Sequence, residues 1–547
     1  MNEAVDVRQP TARVALIATV IAVAAIAFIQ SYARWLDPII DTGRDLYIPE
    51  QIARGAKLYR DIRYQYPPLA PYLLALITGA IGHSLAAYLL IGIAQSATIA
   101  TSLWIALRRP LPAFAATLSF VAACFCGGTL WNFIFPYSYA ATIGMTLLCI
   151  ALAAFVRARH AAAIGALVLS SWCKVEYAVA ALVIVVILTI ARRLTFRQLA
   201  AYCGAMIAAT AAVAFYFRDT QWWSEDVFAA WQHGERARRF FAVMSGVASW
   251  REEAMQIAIG IAGIAAILLL QRWRSWIAGI AIVVAALLLT GHAFFRAWAL
   301  LQWIALGWAL LRDRESPLVI FAAFSVACTL RIPLNVSPAW YGFVLTVPTI
   351  ALSAYALFCY LPRRNVMAIL WLAPFVTNAG ADLWQQHERY SQKRYAIVTP
   401  RGTFYDGNAD RARILTSAIR AVQGGTLAVI PEGITINYLA SVPTTLSFQT
   451  LTPVEVDSPQ TEDAIVRELT MRPPDRVLMV SRDLREYGAS GFGVDYDLRA
   501  GALLRSQYHV ERIWRGQRFN ATLWFKPPKG TSLMDFPSRR NRAPIAN

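Results

Sequence analysis

The chain has 547 residues, of which 57% are hydrophobic and only 15% are charged, and its mean hydropathy is +0.46. Soluble globular proteins carry about 25% charged residues, so this composition excludes a purely soluble enzyme and also a disordered chain. The net charge of +18 would suit a nucleic-acid partner, but the basic residues are mostly arginines in short clusters between apolar runs. Because no long basic stripe is present to follow a phosphate backbone, we expect no nucleic-acid binding.

Apolar runs recur along the first two-thirds of the chain. A helix needs about 20 apolar residues to cross the roughly 30 Å core of a bilayer. Thirteen runs approach or reach that length: 13–30, 84–107, 111–128, 135–156, 161–173, 176–191, 199–217, 255–271, 276–292, 294–311, 316–332, 339–361 and 366–384. The expected fold class is a polytopic α-helical membrane protein with about 13 transmembrane helices, in contact with membrane lipid, followed by a C-terminal α/β domain.

The stretch 161–191 carries two charged residues in its middle, Lys174 and Glu176. As one helix it would be about 46 Å long at 1.5 Å per residue. The two charges would then lie at the centre of the bilayer, at a cost of several kcal/mol. Two short helices place both charges at a water interface instead, so we expect a hairpin.

Arginine clusters set the orientation of the predicted helices. Cytoplasmic loops of membrane proteins are enriched in Lys and Arg. With a cytoplasmic N-terminus and the hairpin above, one side collects Arg108, Arg109, Arg157, Arg159, Arg192, Arg193, Arg197, Arg272, Arg274, Arg312, Arg314, Arg363 and Arg364. The segments 31–83 and 218–254 then face outward, as does the chain after residue 384. The apolar stretch 66–82 is expected to lie at the outer interface, since a further span would invert this arrangement.

The composition becomes mixed and polar after residue 384. Short apolar strands are predicted at 395–398, 427–430, 477–480, 508–510 and 521–525, and helices at 408–423 and 461–471. This alternation is typical of a small α/β domain. The expected organisation is a membrane domain over 1–384, an outward-facing α/β domain over 385–525 and a disordered tail over 526–547.

The first outer segment, 31–83, concentrates acids, arginines and tyrosines between two membrane elements. Three aspartates follow the first helix at a spacing of four residues: Asp37, Asp41 and Asp45. Arg44, Tyr59, Asp61 and the triplet Pro67-Pro68-Leu69 come next. By composition alone, this could be a solvated loop with local ion pairs, each worth at most about 1 kcal/mol.

The order of these residues resembles the first outer loop of the GT-C glycosyltransferases. It is most similar to the bacterial members grouped with protein O-mannosyltransferases and lipid A aminoarabinose transferases. The matching residues are Asp41, Gly55, Tyr59, Asp61 and Pro67-Pro68-Leu69, and the hairpin tip Lys174-Val175-Glu176 also resembles that family. In the outward tail, Pro431-Glu432-Gly433 and Glu486-Tyr487-Gly488 are similar to segments of bacterial members of the superfamily.

The resemblance implies an activity. Such enzymes move a sugar from a polyprenyl-phosphate donor to an acceptor on the outer face of the bacterial inner membrane, with inversion at the anomeric carbon. Asp41 is then the general base, and Asp37 and Asp45 are the neighbours that could be confused with it. The acceptor stays open among lipopolysaccharide, another glycan, a protein and a lipid.

Cations at the outer interface would stabilise the charge that develops on the leaving phosphate. The candidates are Lys174, Arg296 and Arg331, each of which could equally be a cation at a helix end that reaches water. Glu176 could orient Lys174 or bind an acceptor hydroxyl. The remaining candidates for substrate binding belong to the first outer segment: Arg44, Asp45, Tyr59 and Asp61.

A divalent metal is possible but not indicated. His233 alone is a weak ligand candidate, and Cys124 and Cys126 lie in an apolar run without further ligands. The second outer loop, 129–134, has no Asp-x-Asp pair of the kind that helps bind metal in the oligosaccharyltransferase branch. Two other readings stay open: a transporter or flippase of a polar or lipid-linked substrate, and a non-catalytic assembly protein. The chain has no internal repeat, a frequent feature of transporters.

Overall fold

A computed structural model describes residues 10–125, 130–220, 235–270, 276–289, 293–360, 366–456 and 458–527. Several sequence predictions fall outside these residues. These are the metal-ligand candidates Cys126 and His233, most of the outer segment 218–234 and the predicted disordered tail from residue 528 onward. The same holds for four arginines used to set the orientation: Arg272, Arg274, Arg363 and Arg364.

Each of the thirteen apolar runs contains a helix. In chain order these helices are Pro10–Ser31, Leu85–Leu107, Pro110–Phe120, Tyr139–Val156, His160–Ser171, Val175–Ile190, Phe196–Tyr216, Trp250–Leu270, Trp276–Leu288, Trp298–Arg312, Leu318–Thr329, Val347–Tyr355 and Val366–Ser391. Single π-helical turns, Val121–Phe125 and Ala356–Tyr360, extend two of them, and short helices Ala293–Arg296 and Gly342–Leu345 precede two others. Among the described residues, seven helices are long and apolar enough to cross a membrane, and six apolar helices are shorter. The count of thirteen spans stays a prediction.

The stretch 161–191 is divided into two helices, as predicted from the cost of placing its two charged residues at the centre of the bilayer. The first ends at Ser171, the second begins at Val175, and Lys174 lies between them in an extended conformation. The two helices of the hairpin therefore meet at Lys174, and Glu176 lies in the first turn of the second helix. The predicted interfacial helix is also present, as Leu69–Ile81, and helices Thr42–Ala53 and Glu235–Met244 complete the membrane part.

The C-terminal domain, residues 395–525, is built on two small sheets. Strands β1 (Tyr395–Thr399) and β2 (Gly402–Asp406) form an antiparallel hairpin. Strands β3 (Leu427–Ile430), β4 (Arg476–Val480), β5 (His509–Trp514) and β6 (Ala521–Phe525) form a sheet in the order β3-β4-β6-β5. Only the β3–β4 pair is parallel, so a crossover connects these two strands. The helices are Ala409–Ala421, Ile434–Ala440, Pro459–Met471 and Leu498–Gln507.

The C-terminal domain packs on helix Thr42–Ala53 of the first outer segment. Gly43 allows this contact, because a Cβ at that position would lie 2.3 Å from the backbone nitrogen of Thr435. The Thr444 N–H donates to the Tyr47 hydroxyl at 2.9 Å. Arg401 forms an ion pair with the buried Glu50 of the same helix. The helix that begins directly after Asp41 is therefore held by three contacts with the C-terminal domain.

The contact at Gly43 can be tested with Gly43→Ala. The added methyl group would overlap backbone atoms of Thr435, so we expect a loss of stability of roughly 1–3 kcal/mol, in the range of overpacked cores. The measurement is thermal unfolding of the purified protein, together with the rate of proteolysis of the C-terminal domain. Gly79→Ala is the matched control, since its Cβ would meet nothing within 4 Å. Equal stability of both variants would contradict the proposed packing.

Candidate active site

A cavity of about 150 Å³ lies where the helix ends of the membrane part meet the C-terminal domain. We call it the Asp41 cavity. Its membrane-side wall consists of Asp41, Gln65, Tyr66, Tyr137, Lys174, Arg331 and Tyr341, together with Phe240 and Phe241. Its other wall comes from the C-terminal domain: Glu432, Thr450, Thr452, Val454, Glu455 and Tyr487. The cavity therefore brings together segments that are distant in sequence.

Asp41 occupies a strained backbone conformation at the edge of this cavity. Its φ and ψ angles are 51° and −60°, and the Thr42 N–H donates to the Ile40 carbonyl oxygen at 2.6 Å. This is a three-residue γ-turn of the rare form, with Asp41 at its centre. The helix Thr42–Ala53 begins directly afterwards, and the Asp41 side chain does not cap it. The carboxylate is left free to face the cavity.

The Asp41 carboxylate is 31% exposed and is surrounded by other charged groups. Arg44 Nη2 lies 3.8 Å from Asp41 Oδ1. Burial raises the pKa of the Asp41 carboxyl to about 6; Arg44 and Arg482 oppose the rise, and Glu455 adds to it. A carboxyl with a raised pKa is a stronger base once it is ionised, and such groups are frequent at catalytic sites.

The two neighbouring aspartates have structural partners instead. Asp37 Oδ1 accepts the N–H groups of Ile39 and Ile40 at 2.9 and 3.0 Å, and its other oxygen lies 3.6 Å from Arg411. Although burial raises it, these partners hold the pKa of Asp37 below its ordinary value. Asp45 is fully buried and accepts the Tyr139 N–H at the start of helix Tyr139–Val156. Neither of them lines the Asp41 cavity.

Lys174, Glu176 and Arg331 form one charged cluster. Lys174 Nζ lies 3.2 Å from Glu176 Oε1, and Arg331 pairs with Glu176 Oε2. Lys174 also donates to the Tyr137 hydroxyl at 3.2 Å and lies 4.7 Å above the Tyr66 ring. Two cations share one carboxylate, so the cluster carries one positive charge in excess. One excess charge matches the single negative charge of a phosphodiester.

Glu176 contacts Lys174 and Arg331 but does not itself line the cavity, and neither do four further predicted site residues. Tyr59 is buried against Phe217, with its hydroxyl donating to the Tyr66 carbonyl oxygen at 2.6 Å. Arg44 lies behind Asp41, with its guanidinium 5.2 Å from the Tyr66 ring. Two predicted residues lie away from the cavity and pair elsewhere: Asp61 with Arg60 and Arg296 with Glu253. Tyr59 and Arg44 therefore support the wall, and the structure does not bring Asp61 or Arg296 to the site.

The C-terminal domain supplies acids that sequence reasoning did not assign to the site. Glu432 is buried; its Oε1 accepts the Asp41 N–H at 2.8 Å, and its Oε2 accepts from Arg482 Nε at 2.9 Å. Glu455 lies 3.9 Å from Arg44 and accepts the hydroxyls of Thr450 and Thr452. The only sequence signal was the resemblance of Pro431-Glu432-Gly433 to outer tails of the superfamily, which carried no role.

In the part of the chain that the structure describes, no group of three His, Cys, Asp or Glu side chains could hold a metal ion. Each cavity acid instead contacts an arginine. Asp41 and Glu455 flank Arg44, whereas Glu432 pairs with Arg482. The arrangement combines an ionisable carboxylate with a cationic cluster across one cavity, which suits proton removal on one side and anion binding on the other.

The fold and the cavity define a polytopic helical membrane protein with a charged cavity beneath a C-terminal α/β domain. No protein-family model and no curated protein matches the chain. Among solved structures it is similar to ArnT from Cupriavidus metallidurans bound to undecaprenyl phosphate, at 13% identity and a TM-score of 0.45, over 93% of this chain and 97% of that one. The apo form of the same ArnT gives 14% identity and a TM-score of 0.41, over 94% and 98%.

Proposed function

We propose that the protein is a glycosyltransferase that moves a sugar from a polyprenyl-phosphate donor to an acceptor hydroxyl, with Asp41 as the general base. The observation that carries this proposal is the Asp41 cavity itself. It brings the partly exposed carboxylate of Asp41 into the same cavity as Lys174 and Arg331, the two cations that share Glu176. The order of residues in the first outer segment supports the same activity.

In the proposed reaction the acceptor oxygen attacks the anomeric carbon as Asp41 takes its proton. The bond between that carbon and the phosphate oxygen breaks, and its electron pair stays on the phosphate. The attack comes from the face opposite the leaving group, so the configuration inverts. Lys174 and Arg331 stabilise the charge that grows on the phosphate, a role for which preorganised cations are effective.

The reaction is proposed to take place on the periplasmic side of the bacterial inner membrane. The arrangement of helices supports this orientation. Helix Tyr139–Val156 begins beside cavity residue Tyr137 and ends before Arg157, and helix Val175–Ile190 begins beside Lys174 and ends before Arg192. The arginines thus follow the ends opposite the cavity, and arginine-rich ends are typical of the cytoplasmic side. The same orientation makes the N-terminus cytoplasmic and the C-terminal domain periplasmic.

The first test is Asp41→Asn in purified protein supplied with polyprenyl-phosphate sugars and cell-envelope acceptors. We expect sugar transfer to fall by about 10²–10⁴-fold, the usual contribution of a positioned acid or base. Binding of polyprenyl phosphate should persist, because Lys174 and Arg331 are unchanged. Asp463→Asn is the control, since Asp463 pairs with Arg499 in the C-terminal domain, away from the cavity.

Two results would contradict the enzyme assignment. One is an Asp41→Asn variant that transfers sugar at the rate of the wild type. The other is vectorial movement of the donor across a proteoliposome membrane without cleavage of its sugar–phosphate bond, which would support the flippase reading instead.

The raised pKa of Asp41 predicts the pH dependence of the reaction. The base must be ionised, so kcat/KM should be half its full value at pH about 6, approach the full value above that pH and approach a tenfold fall per pH unit well below it. The measurement is the initial rate of transfer across this range, with thermal unfolding at each pH to exclude loss of the fold. An acidic limb near the ordinary pKa of aspartate would show that burial does not tune this carboxyl.

The cationic cluster is tested with Lys174→Met. The variant keeps an unbranched side chain, one atom shorter, but removes one of the two positive charges that line the cavity. We expect binding of polyprenyl phosphate to weaken by about tenfold, the equivalent of 1.4 kcal/mol. Lys57→Met is the control, because Lys57 pairs with Asp219 outside the cavity. Unchanged affinity in Lys174→Met would remove this lysine from the donor site.

A further inference from the structure

The C-terminal domain contacts the backbone of the proposed base directly. Glu432 lies just after strand β3, in the turn that leads to helix Ile434–Ala440. Its Oε1 accepts the N–H of Asp41, a residue 391 positions earlier in the chain. Glu432 is 3% exposed and Asp41 is partly exposed, so this bond is partly shielded from water.

The conformation of Asp41 explains why such a bond matters. Strained backbone conformations of this kind persist only where the surroundings hold them. The hydrogen bond from Thr42 to Ile40 closes the turn but leaves the Asp41 N–H without an acceptor inside the turn. Glu432 provides that acceptor. Without it, the N–H group would be unsatisfied and the turn could relax toward an ordinary helix start.

Glu432 is itself fixed by Arg482. Arg482 Nε donates to Glu432 Oε2 at 2.9 Å, and its Nη2 lies 2.6 Å from Glu486. The Arg482 guanidinium also lies 5.9 Å from the Tyr487 ring. Both oxygens of Glu432 are therefore occupied, one by the base and one by the arginine. This two-sided arrangement fixes the position of the carboxylate, and through it that of the Asp41 backbone.

We infer that Glu432 is a positioning residue that holds the γ-turn of Asp41, so that the C-terminal domain is an integral part of the active site. This inference rests on the proposed function of Asp41 as the base. The charged and titratable groups that face Glu432 are Asp41, Arg482, Tyr487 and Tyr496, and Glu455 lines the same wall of the cavity. The proposed role of Glu432 requires a side-chain oxygen that reaches the Asp41 N–H. A negative charge at position 432 is not sufficient for it.

The test compares Glu432→Ala, Glu432→Gln and the double variant Glu432→Gln with Arg482→Met. Alanine removes the acceptor, and we expect kcat to fall by about 10- to 100-fold with the donor KM within about twofold, as for a misplaced catalytic group. In Glu432→Gln, one carbonyl oxygen must serve two donors, the Asp41 N–H and Arg482 Nε, so we expect a partial loss of kcat. Removal of Arg482 frees that oxygen for Asp41, so the double variant should regain activity relative to Glu432→Gln.

A merely structural role predicts that kcat follows only the folded fraction of each variant, so the double variant would regain kcat no further than it regains thermal stability. Because Glu432 and Arg482 are in contact, their effects on stability are not expected to add, and kcat is therefore compared per folded protein, with thermal unfolding of each variant. Should Glu432→Ala fail to fold, the comparison of the single and double glutamine variants therefore still decides. Glu486→Gln is the matched control: Glu486 contacts the same arginine but neither lines the cavity nor touches Asp41, and we expect its kcat to be that of the wild type. A higher acceptor KM at unchanged kcat would overturn the inference and make Glu432 an acceptor contact.

A second readout does not require turnover. Hydrogen exchange of the Asp41 amide, followed by mass spectrometry of a peptide spanning 37–45, should be slow in the wild type and at least tenfold faster in Glu432→Ala. Equal exchange in both proteins would overturn the inference. If the wild type transfers no sugar, the proposed function fails, while the exchange measurement still decides whether Glu432 holds the turn.

Discussion

The site depends on one strained turn. Asp41 faces the cavity because the backbone makes a γ-turn there instead of starting the next helix in the usual way. Two contacts with the C-terminal domain maintain that turn: the close approach of Gly43 to Thr435 and the hydrogen bond to Glu432. A side chain at position 43 would separate the two surfaces, and a shorter residue at 432 would not reach the Asp41 N–H. The location of the carboxylate is thus a property of two segments and not of the loop alone.

The charges around the cavity are arranged in two groups with different tasks. Lys174 and Arg331 share Glu176 on the membrane side, where a lipid phosphate would arrive. The acids Glu432 and Glu455 come from the C-terminal domain, and Asp41 lies on the membrane-side wall of the cavity, within 3.8 Å of Arg44. Buried ion pairs rarely stabilise a fold relative to apolar packing, because desolvation offsets their attraction. Their concentration around one cavity is therefore better explained by chemistry than by stability.

The sequence predicted the elements well because its apolar runs and charges are strong local signals. The hairpin followed from the cost of burying Lys174, and the strands at 427–430 and 521–525 followed from apolar runs between polar turns. The site was predicted less completely. Asp37, Asp41 and Asp45 occupy similar sequence surroundings. Only their partners distinguish a turn-stabilising acid (Asp37), a partly exposed acid at the cavity (Asp41) and a buried acid that accepts the N–H at the start of a helix (Asp45). These partners come from elsewhere in the chain, so local spacing could not distinguish them.

The contact of Glu432 with Asp41 was likewise not predictable from the local sequence. Nothing near it in sequence indicates an active site, because its partner lies in another part of the fold. The two meet only when the crossover between β3 and β4 brings helix Ile434–Ala440 onto helix Thr42–Ala53. A membrane domain without the C-terminal domain would keep Lys174 and Arg331 but would lose the acceptor of the Asp41 N–H and one wall of the cavity. Under the proposed function, such a fragment would retain the two cations proposed to bind phosphate, while Asp41 would lose the contacts that fix its position. The inferred role of Glu432 would therefore make the C-terminal domain a part of the catalytic apparatus.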